Sequence, residues 1–368
     1  MSKMEKIEMF RKPGGDVDVP MTTSVEAPTL RVSVIILAKD EGKTISDCLQ
    51  AISQQTILND PKTALEIIVV PNGCTDNTAL VATDAGNYFE HYDQVTFQVH
   101  NLTQGGKSRS WNRAVHEFAA PNGDLRFFLD ADITLCAHDV MANMVSYLLA
   151  NPQFEVVTGK PAKDYHFKKN KNLAEKFSLK VSRETAYVNA ISGGCYVARA
   201  PALSKIWLPN DTPGEDGFLN AMITTDGFTV SPPKRCVRQY PEVTHIFEGE
   251  RVSSFSRHEK RLIVGTVINT WIFEHLQKMK HSEPCGYWIR EENERNPNWI
   301  DDIVSKRVGN HSWVVPPRIF RQRLLRRHLP LVPYLMSLPI RLAAAAISVP
   351  AILGANRLLK RRGAASFW

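Results

Sequence analysis

The sequence predicts an α/β fold, a mostly parallel sheet with helices on both faces. Three observations predict it. Short apolar, β-branched runs alternate with segments of helical period between Val32 and Ala150, a pattern that argues for strand–helix–strand units. The segments joining them are short and rich in Gly, Asn and Asp, as turn chemistry requires. The 368 residues are 43% hydrophobic and 23% charged, which is a globular composition long enough to bury a large core.

The elements follow in order. Val32 to Ala38 (VSVIILA) reads as a buried strand. Thr44 to Gln55 reads as a helix, with Ile45, Leu49 and Ile52 on one face. Leu65 to Val70 (LEIIVV) is a second strand, and Asp76 to Ala85 a second helix with Asp76 placed to cap it. Val95 to Val99 and Phe127 to Leu129 are the third and fourth strands; Lys107 to Ala119 and His138 to Ala150 are the helices that follow them. Upstream, Met1 to Leu30 is Pro- and Gly-rich without periodicity and reads as a flexible leader. It has no apolar core of the kind a secretory signal needs. Lys160 to Lys180 reads as a Lys-rich loop followed by a helix, and the region after Val243 as helical.

Composition excludes several function classes. The six cysteines form no CxxC pair, so zinc-finger and thioredoxin-type chemistry is not indicated and a reducing compartment is expected. Net charge is +7, but its distribution is one-sided. No acidic residue follows Asp302, and twelve basic ones do. The rest of the chain is net acidic, which argues against a nucleic-acid-binding protein.

Chemistry gathers where the strands end. In a parallel sheet, ligands collect at the carboxyl ends of the strands. There the chain places Lys39-Asp40-Glu41, then Asn72-Gly73 with Asp76, then Gly105-Gly106-Lys107, then Asp130-Ala131-Asp132. Two carboxylates one residue apart suit a hard divalent cation, Mn²⁺ or Mg²⁺, carrying phosphate oxygens. The same pair also suits a solvated turn. Further on, Gly193-Gly194 would let a ligand approach the backbone closely, or simply make a tight turn. Cys195 has no His partner nearby in sequence and does not read as a nucleophile.

The segments VSVIILAKDE, EIIVVPNGCTDNT, GGKSRSWNRAV, FFLDADI, GGCYVARAPAL and GEDGFL, in that order between Val32 and Leu219, resemble family 2 glycosyltransferases of the Rossmann-like GT-A fold. The resemblance implies a metal-dependent, inverting transfer of a sugar from a nucleotide-sugar donor. It implies donor contacts at Lys39, Asp40, Glu41, Asn72 and Gly73, with Asp130 near the ribose and metal and Asp132 ligating the metal; beside these, Lys107 offers a cation for phosphate and Gly193 and Gly194 a close approach for donor sugar or acceptor. Members often carry paired acids where this chain has Pro71-Asn72; UDP is favoured over GDP by frequency in the family. Gly214-Glu215-Asp216 resembles the motif that supplies the catalytic base, with Asp216 as base and Glu215 orienting it or touching the acceptor. Both acids would equally suit the first turn of a helix. His245 and His258 follow this motif, and a later His serves some members as a further metal ligand; His245 is the better placed. Arg257 and Arg261, four apart, could clamp a diphosphate or lie on a solvated face. The QxxRW pattern of processive synthases is absent.

The implied organisation is a leader (1–30), a catalytic domain (31–250, divided into a nucleotide-binding half at 31–135 and an acceptor half at 136–250), a helical extension (251–315) and a basic tail (316–368). Arg318 to Arg327 reads as an amphipathic basic helix. From Leu329 to Ala355 only Arg341 is charged, and Pro330, Pro333, Pro339 and Pro350 interrupt the run. With basic clusters at both ends, this tail predicts an in-plane or shallow re-entrant association with anionic lipid at the cytoplasmic face of the inner membrane. Packing on the catalytic domain is the alternative. A lipid-linked or other saccharide acceptor in cell-surface or exopolysaccharide assembly would suit such a tail. Two other readings remain: a non-catalytic nucleotide-sugar-binding subunit of a glycan assembly complex, and a sugar-phosphate nucleotidyltransferase. The second needs a Gly-rich loop where Ala38-Lys39-Asp40-Glu41 stands.

Overall fold

The computed structural model describes residues 28–172, 175–176, 178–179, 189–249, 252–279, 283–319 and 331–361. The chain divides into two compact units. The first contains Met1–Phe167, Val188–Lys205 and Pro233–Glu248; the second contains Lys168–Tyr187, Ile206–Pro232 and Gly249–Trp368.

The first unit is built on one eight-stranded sheet. Its strands are β1 (Leu30–Ala38), β2 (Thr63–Pro71), β3 (Val95–Val99), β4 (Leu125–Asp130), β5 (Thr134–Leu135), β6 (Val156–Lys163), β7 (Cys195–Arg199) and β8 (Val237–Phe247). They lie in the order β3-β2-β1-β4-β7-β6-β8-β5. β1 to β4 pair in parallel, β7 runs antiparallel to β4 and β6, and β8 is parallel to β6. Helices α1 (Ile45–Ser53), α2 (Thr78–Asp84), α3 (Lys107–Arg113), α4 (Val140–Ala150) and α5 (Ala200–Ser204) complete it.

β1 is buried from Val32 onward because strands flank it on both sides and helices cover both faces, which is why its sequence is a run and not an alternation. Val34 and Ile36 join a core with Ile45, Leu49 and Ile52 of α1 and with Met141, Met144 and Leu148 of α4. Ile35 and its register partner Phe128 face the other way. There Phe128 stacks on Trp111 of α3 and on Tyr196 of β7. The buried Trp111 Nε1–H donates to Tyr196 Oη at 2.8 Å, giving the indole its polar partner. β3 is an edge strand, short and partly exposed.

Three expectations are corrected. The chain is not helical from Val243, because β8 continues to Phe247 and buries Thr244, His245 and Ile246 between its partners β6 and β5. Lys160 lies in β6, not in a loop. α2 begins at Thr78, so Asn77 and not Asp76 stands at its N-cap position; the helix begun at Lys107 runs as expected to Phe118, its last turn widening from Ala114. Residues 1–27, most of the expected leader, and 320–330, most of the expected basic helix, lie outside the described residues.

The second unit holds α6 (Glu215–Thr224), α7 (Val252–Lys278), α8 (Gly286–Arg295), α9 (Trp299–Val308) and α10 (Leu331–Arg361). Trp288 meets Trp299 edge-on, with ring centroids 5.4 Å apart. α10 is one continuous helix through Pro333, Pro339 and Pro350; the prolines do not break it into a re-entrant pair. Each removes one backbone donor, and whole turns lie between them to carry the helix through.

Candidate functional site

The carboxyl ends of β1, β2 and β3 are knitted together by side chains from their own tips. Asp40, at φ +56, accepts the Thr75 N–H at 2.6 Å and its hydroxyl at 3.1 Å. The backbone hydrogen bond from Thr75, ahead of its hydroxyl and Lys39, holds the Asp40 carboxyl below the usual range. Asp76 accepts the Gly42 N–H at 2.9 Å, and Thr78 Oγ1 accepts the Glu41 N–H at 2.7 Å. Lys39 Nζ donates to the Gly73 carbonyl. Asn72 is buried. Its Nδ2 donates to the Ala38 carbonyl at 2.8 Å, and its Oδ1 accepts the Gly106 N–H at 3.2 Å. A carboxylate could not make the first of these bonds, so the amide at this position has a structural cause. Gly73 sits at φ +55, and a Cβ there would meet the Gly105 nitrogen at 2.6 Å; only glycine allows the third tip to approach the second so closely.

A second cluster forms where β4 meets β7 and β8. Asp130 Oδ1 pairs with Lys107 Nζ at 2.7 Å, and its N–H donates to the Gly194 carbonyl at 3.0 Å. A Cβ added to Gly194 would lie 3.5 Å from His245 Nε2 and 3.6 Å from Asp130 Oδ2. The glycine therefore leaves a space between a carboxylate and an imidazole. Asp132 is exposed on the turn after β4. The Glu41 carboxyl is pushed up, first by burial and then by the charges of Asp132, Asp130 and Asp76, with the Thr44 hydroxyl opposing. Three carboxylates thus act on a fourth.

His245 Nδ1 lies 2.9 Å from Thr244 Oγ1, and burial lowers its pKa to about 4. The imidazole is neutral in the folded chain and protonates in the unfolded chain near pH 6.5. Stability from this group is therefore fully present above about pH 6.5 and is lost as pH falls towards 4. Chemical denaturation of the metal-free protein across that window should show a loss approaching about 3 kcal/mol, and His245→Gln should flatten the slope.

Glu215 and Asp216 belong to the second unit, in the first turn of α6 behind Gly214 at φ +119. Asp216 Oδ1 accepts the Gly217 N–H at 2.7 Å. The preceding loop is clasped by Asn269 of α7, which donates to the Gly214 carbonyl at 2.7 Å and accepts from the Thr212 hydroxyl at 2.8 Å. Gly265, one turn earlier, packs directly against the Pro213 carbonyl. Arg257 and Arg261 are exposed on α7, and His258 is half-buried there.

The structure therefore brings Lys39, Asp40, Glu41, Asn72, Gly73 and Lys107 to one edge of the sheet with Asp130, Gly194 and His245, in the first unit. Gly193 and Asp132 are chain neighbours of this group. The Cys195 thiol is fully buried and burial raises its pKa, in keeping with no nucleophilic role. Among the described residues, Asp40, Cys74 and Asp76 place ligand atoms within 4.8 Å of one another. Thr75 and Thr78 lie in the polar segment that the sequence places after β2, while Thr244 and Asn269 are not among the sequence's candidates. The only signal for Asn269 was a polar residue within the apolar run of a long helix.

The model of the family described as glycosyltransferase like family 2 matches residues 28–260. No curated protein matches the chain. Among solved structures, mannosyltransferase PcManGT from Pyrobaculum calidifontis, in complex with GDP-Man and Mn²⁺, superposes with a TM-score of 0.52 at 17% identity, covering 98% of this chain and 94% of that one. TarS 1-349 from S. aureus gives 0.43 at 15% identity over 88% and 92% of the two chains. Glucosyl-3-phosphoglycerate synthase from Mycobacterium tuberculosis gives 0.44 at 18% identity over 65% and 80%. The mixed sheet and its order are those of a GT-A fold, and with the family model spanning more than half of its residues the chain belongs to the family 2 glycosyltransferases.

Proposed function

We propose that this glycosyltransferase moves a sugar from a nucleotide-sugar donor to a hydroxyl acceptor with inversion, assisted by a divalent cation. The observation that carries the reading is the group at the sheet edge. Asp130 Oδ2 and His245 Nε2 flank the space that Gly194 leaves, Lys107 pairs with Asp130, and the charges of Asp132, Asp130 and Asp76 reach the Glu41 carboxyl. That excess of negative charge, with oxygen donors and one imidazole, fits Mn²⁺ or Mg²⁺. Asp130, Asp132 and His245 would hold the ion, which would offset charge on the departing diphosphate.

The chain's own residues do the rest. Lys39, Asp40, Glu41 and Gly73 would hold base and ribose. The side chain of Asn72 is already committed to Ala38 and Gly106, so it supports the base site by holding the tips together. Gly193 and Gly194 let the donor sugar approach the backbone. Lys107 fixes Asp130 and neutralises part of the cluster. Asp216 takes the proton of the attacking hydroxyl, and Glu215 orients it. We favour a uridine diphosphate donor and a lipid-linked saccharide acceptor, handled at the cytoplasmic face of a membrane in surface-polysaccharide assembly. Among the described residues no helix is long and apolar enough to cross a membrane.

Thermal melting with UDP and GDP, each with and without Mn²⁺, tests donor and metal together. A ligand at a hundred times its Kd adds about 2.7 kcal/mol, so UDP with Mn²⁺ should raise Tm by several degrees, and UDP without metal or GDP by far less. Equal shifts with and without Mn²⁺ would remove the metal from the reading, and a larger shift with GDP would reverse the base.

A further inference from the structure

Among its described side chains, helix α10 carries two apolar arcs, one packed and one exposed. Ser348, Ala351, Ile352, Ala355 and Leu359 are buried, and α10 packs along α7. Asn356 fixes its rotation, accepting the Val314 N–H at 2.7 Å and donating to the Ser312 carbonyl at 3.2 Å. The opposite arc carries Leu342, Ala346, Val349, Pro350 and Leu353, spaced so that they fall on one side of the helix. Leu342 is 52% exposed, Val349 41% and Leu353 42%. On the same arc, past the last leucine, Arg357, Lys360 and Arg361 are exposed, and the stem of Lys260 from α7 lies against Gly354 at the stripe's edge.

An ordinary surface helix has one apolar stripe, turned inward. A second stripe left outside needs a partner, and the flanking charge says which kind. No acid follows Asp302, so the same face of a second copy would offer these cations no counter-charge. A bilayer rich in anionic lipid offers both an apolar layer and phosphates. At 1.5 Å per residue, the stripe from Leu342 to Leu353 is about 16 Å long, which suits a helix lying in the interface and not one crossing it.

We propose that the Leu342–Val349–Leu353 face of α10 docks on anionic membrane, with the helix in the plane of the interface and Arg357, Lys360 and Arg361 on lipid phosphates. This gives the membrane part of the functional proposal a surface, and it stands independently of the donor chemistry. The apolar arc would enter the boundary between headgroups and acyl chains. The three cations would add attraction of roughly tenfold or less each, which salt would screen.

Flotation of the full-length protein with vesicles tests it, using phosphatidylcholine alone and phosphatidylcholine mixed with phosphatidylglycerol. The wild-type chain should float with the mixed vesicles and lose most binding at high salt. Val349→Asp combined with Leu353→Asp should abolish flotation at any salt. Arg357→Gln, Lys360→Gln and Arg361→Gln together should weaken binding by about a hundredfold and make it less dependent on salt. All these positions are exposed, so melting curves should match wild type; if the apolar pair proves destabilised, Leu342→Asp is the substitute. Equal flotation of wild type and the apolar variant would overturn the proposal. So would a dimer in sedimentation velocity that the apolar variant converts to monomer, since that names a second copy as the occupant. Turnover of UDP-sugar in vesicle-free buffer separates this outcome from failure of the catalytic reading, because the docking variants should turn over donor at the wild-type rate there.

Discussion

Asp216→Asn is expected to lower UDP-sugar turnover by about a hundredfold to ten-thousandfold, the range a general base contributes. The substitution is nearly isosteric. An amide oxygen can still accept the Gly217 N–H that the carboxylate accepts, so α6 should start as before and melting should be unchanged. Donor binding should also survive, because a base serving the acceptor hydroxyl, as proposed for Asp216, makes no contact that holds the donor. Asp132→Ala gives the complementary result. It removes an exposed side chain, leaves the fold intact, and should erase the Mn²⁺-dependent part of the thermal shift along with activity. Wild-type turnover by Asp216→Asn would remove Asp216 from the mechanism and leave the cation site standing. An unchanged Mn²⁺ response in Asp132→Ala would do the reverse.

The largest stability loss is expected at the far end of the same strands. Arg126, Ser33 and Glu66 form one row across β4, β1 and β2, in direct register. Arg126 is buried and donates to Ser33 Oγ and to the Ala120 carbonyl. Ser33 donates to Glu66 Oε1 at 2.5 Å, which also accepts the Ala120 N–H at 2.7 Å and lies 4.0 Å from the guanidinium. Burial lowers the Arg126 pKa, with Glu66 and then Asp124 acting against it. Removing the arginine strands a largely enclosed carboxylate. Arg126→Ala should therefore cost about 3–5 kcal/mol in urea denaturation, a large part of the stability of a typical domain. Arg126→Met with Glu66→Gln should recover most of that, since no charge is left unpaired. A loss below about 1 kcal/mol in the single variant would show that the row contributes little.

The parallel half of the sheet is legible in residue order alone, because strands covered on both faces must be apolar throughout and their ends must carry the turn and ligand chemistry. The runs at Val32, Leu65, Val95 and Phe127 are strands within a few residues of their predicted ends, and the polar tips between Lys39 and Asp130 share one edge. Tertiary structure decided the rest. β6, β7 and β8 are held by partners far away in sequence; VTHIF has the β-branched and aromatic residues of a strand, but its place between β6 and β5 is set by those distant partners. The same distance hides why Asn72 is an amide, since its two partners, Ala38 and Gly106, each lie 34 residues away. It also hides the two sides of α10: composition marks that segment as apolar, but only packing against α7 separates the buried Ala351, Ile352, Ala355 and Leu359 from the exposed Leu342, Val349 and Leu353.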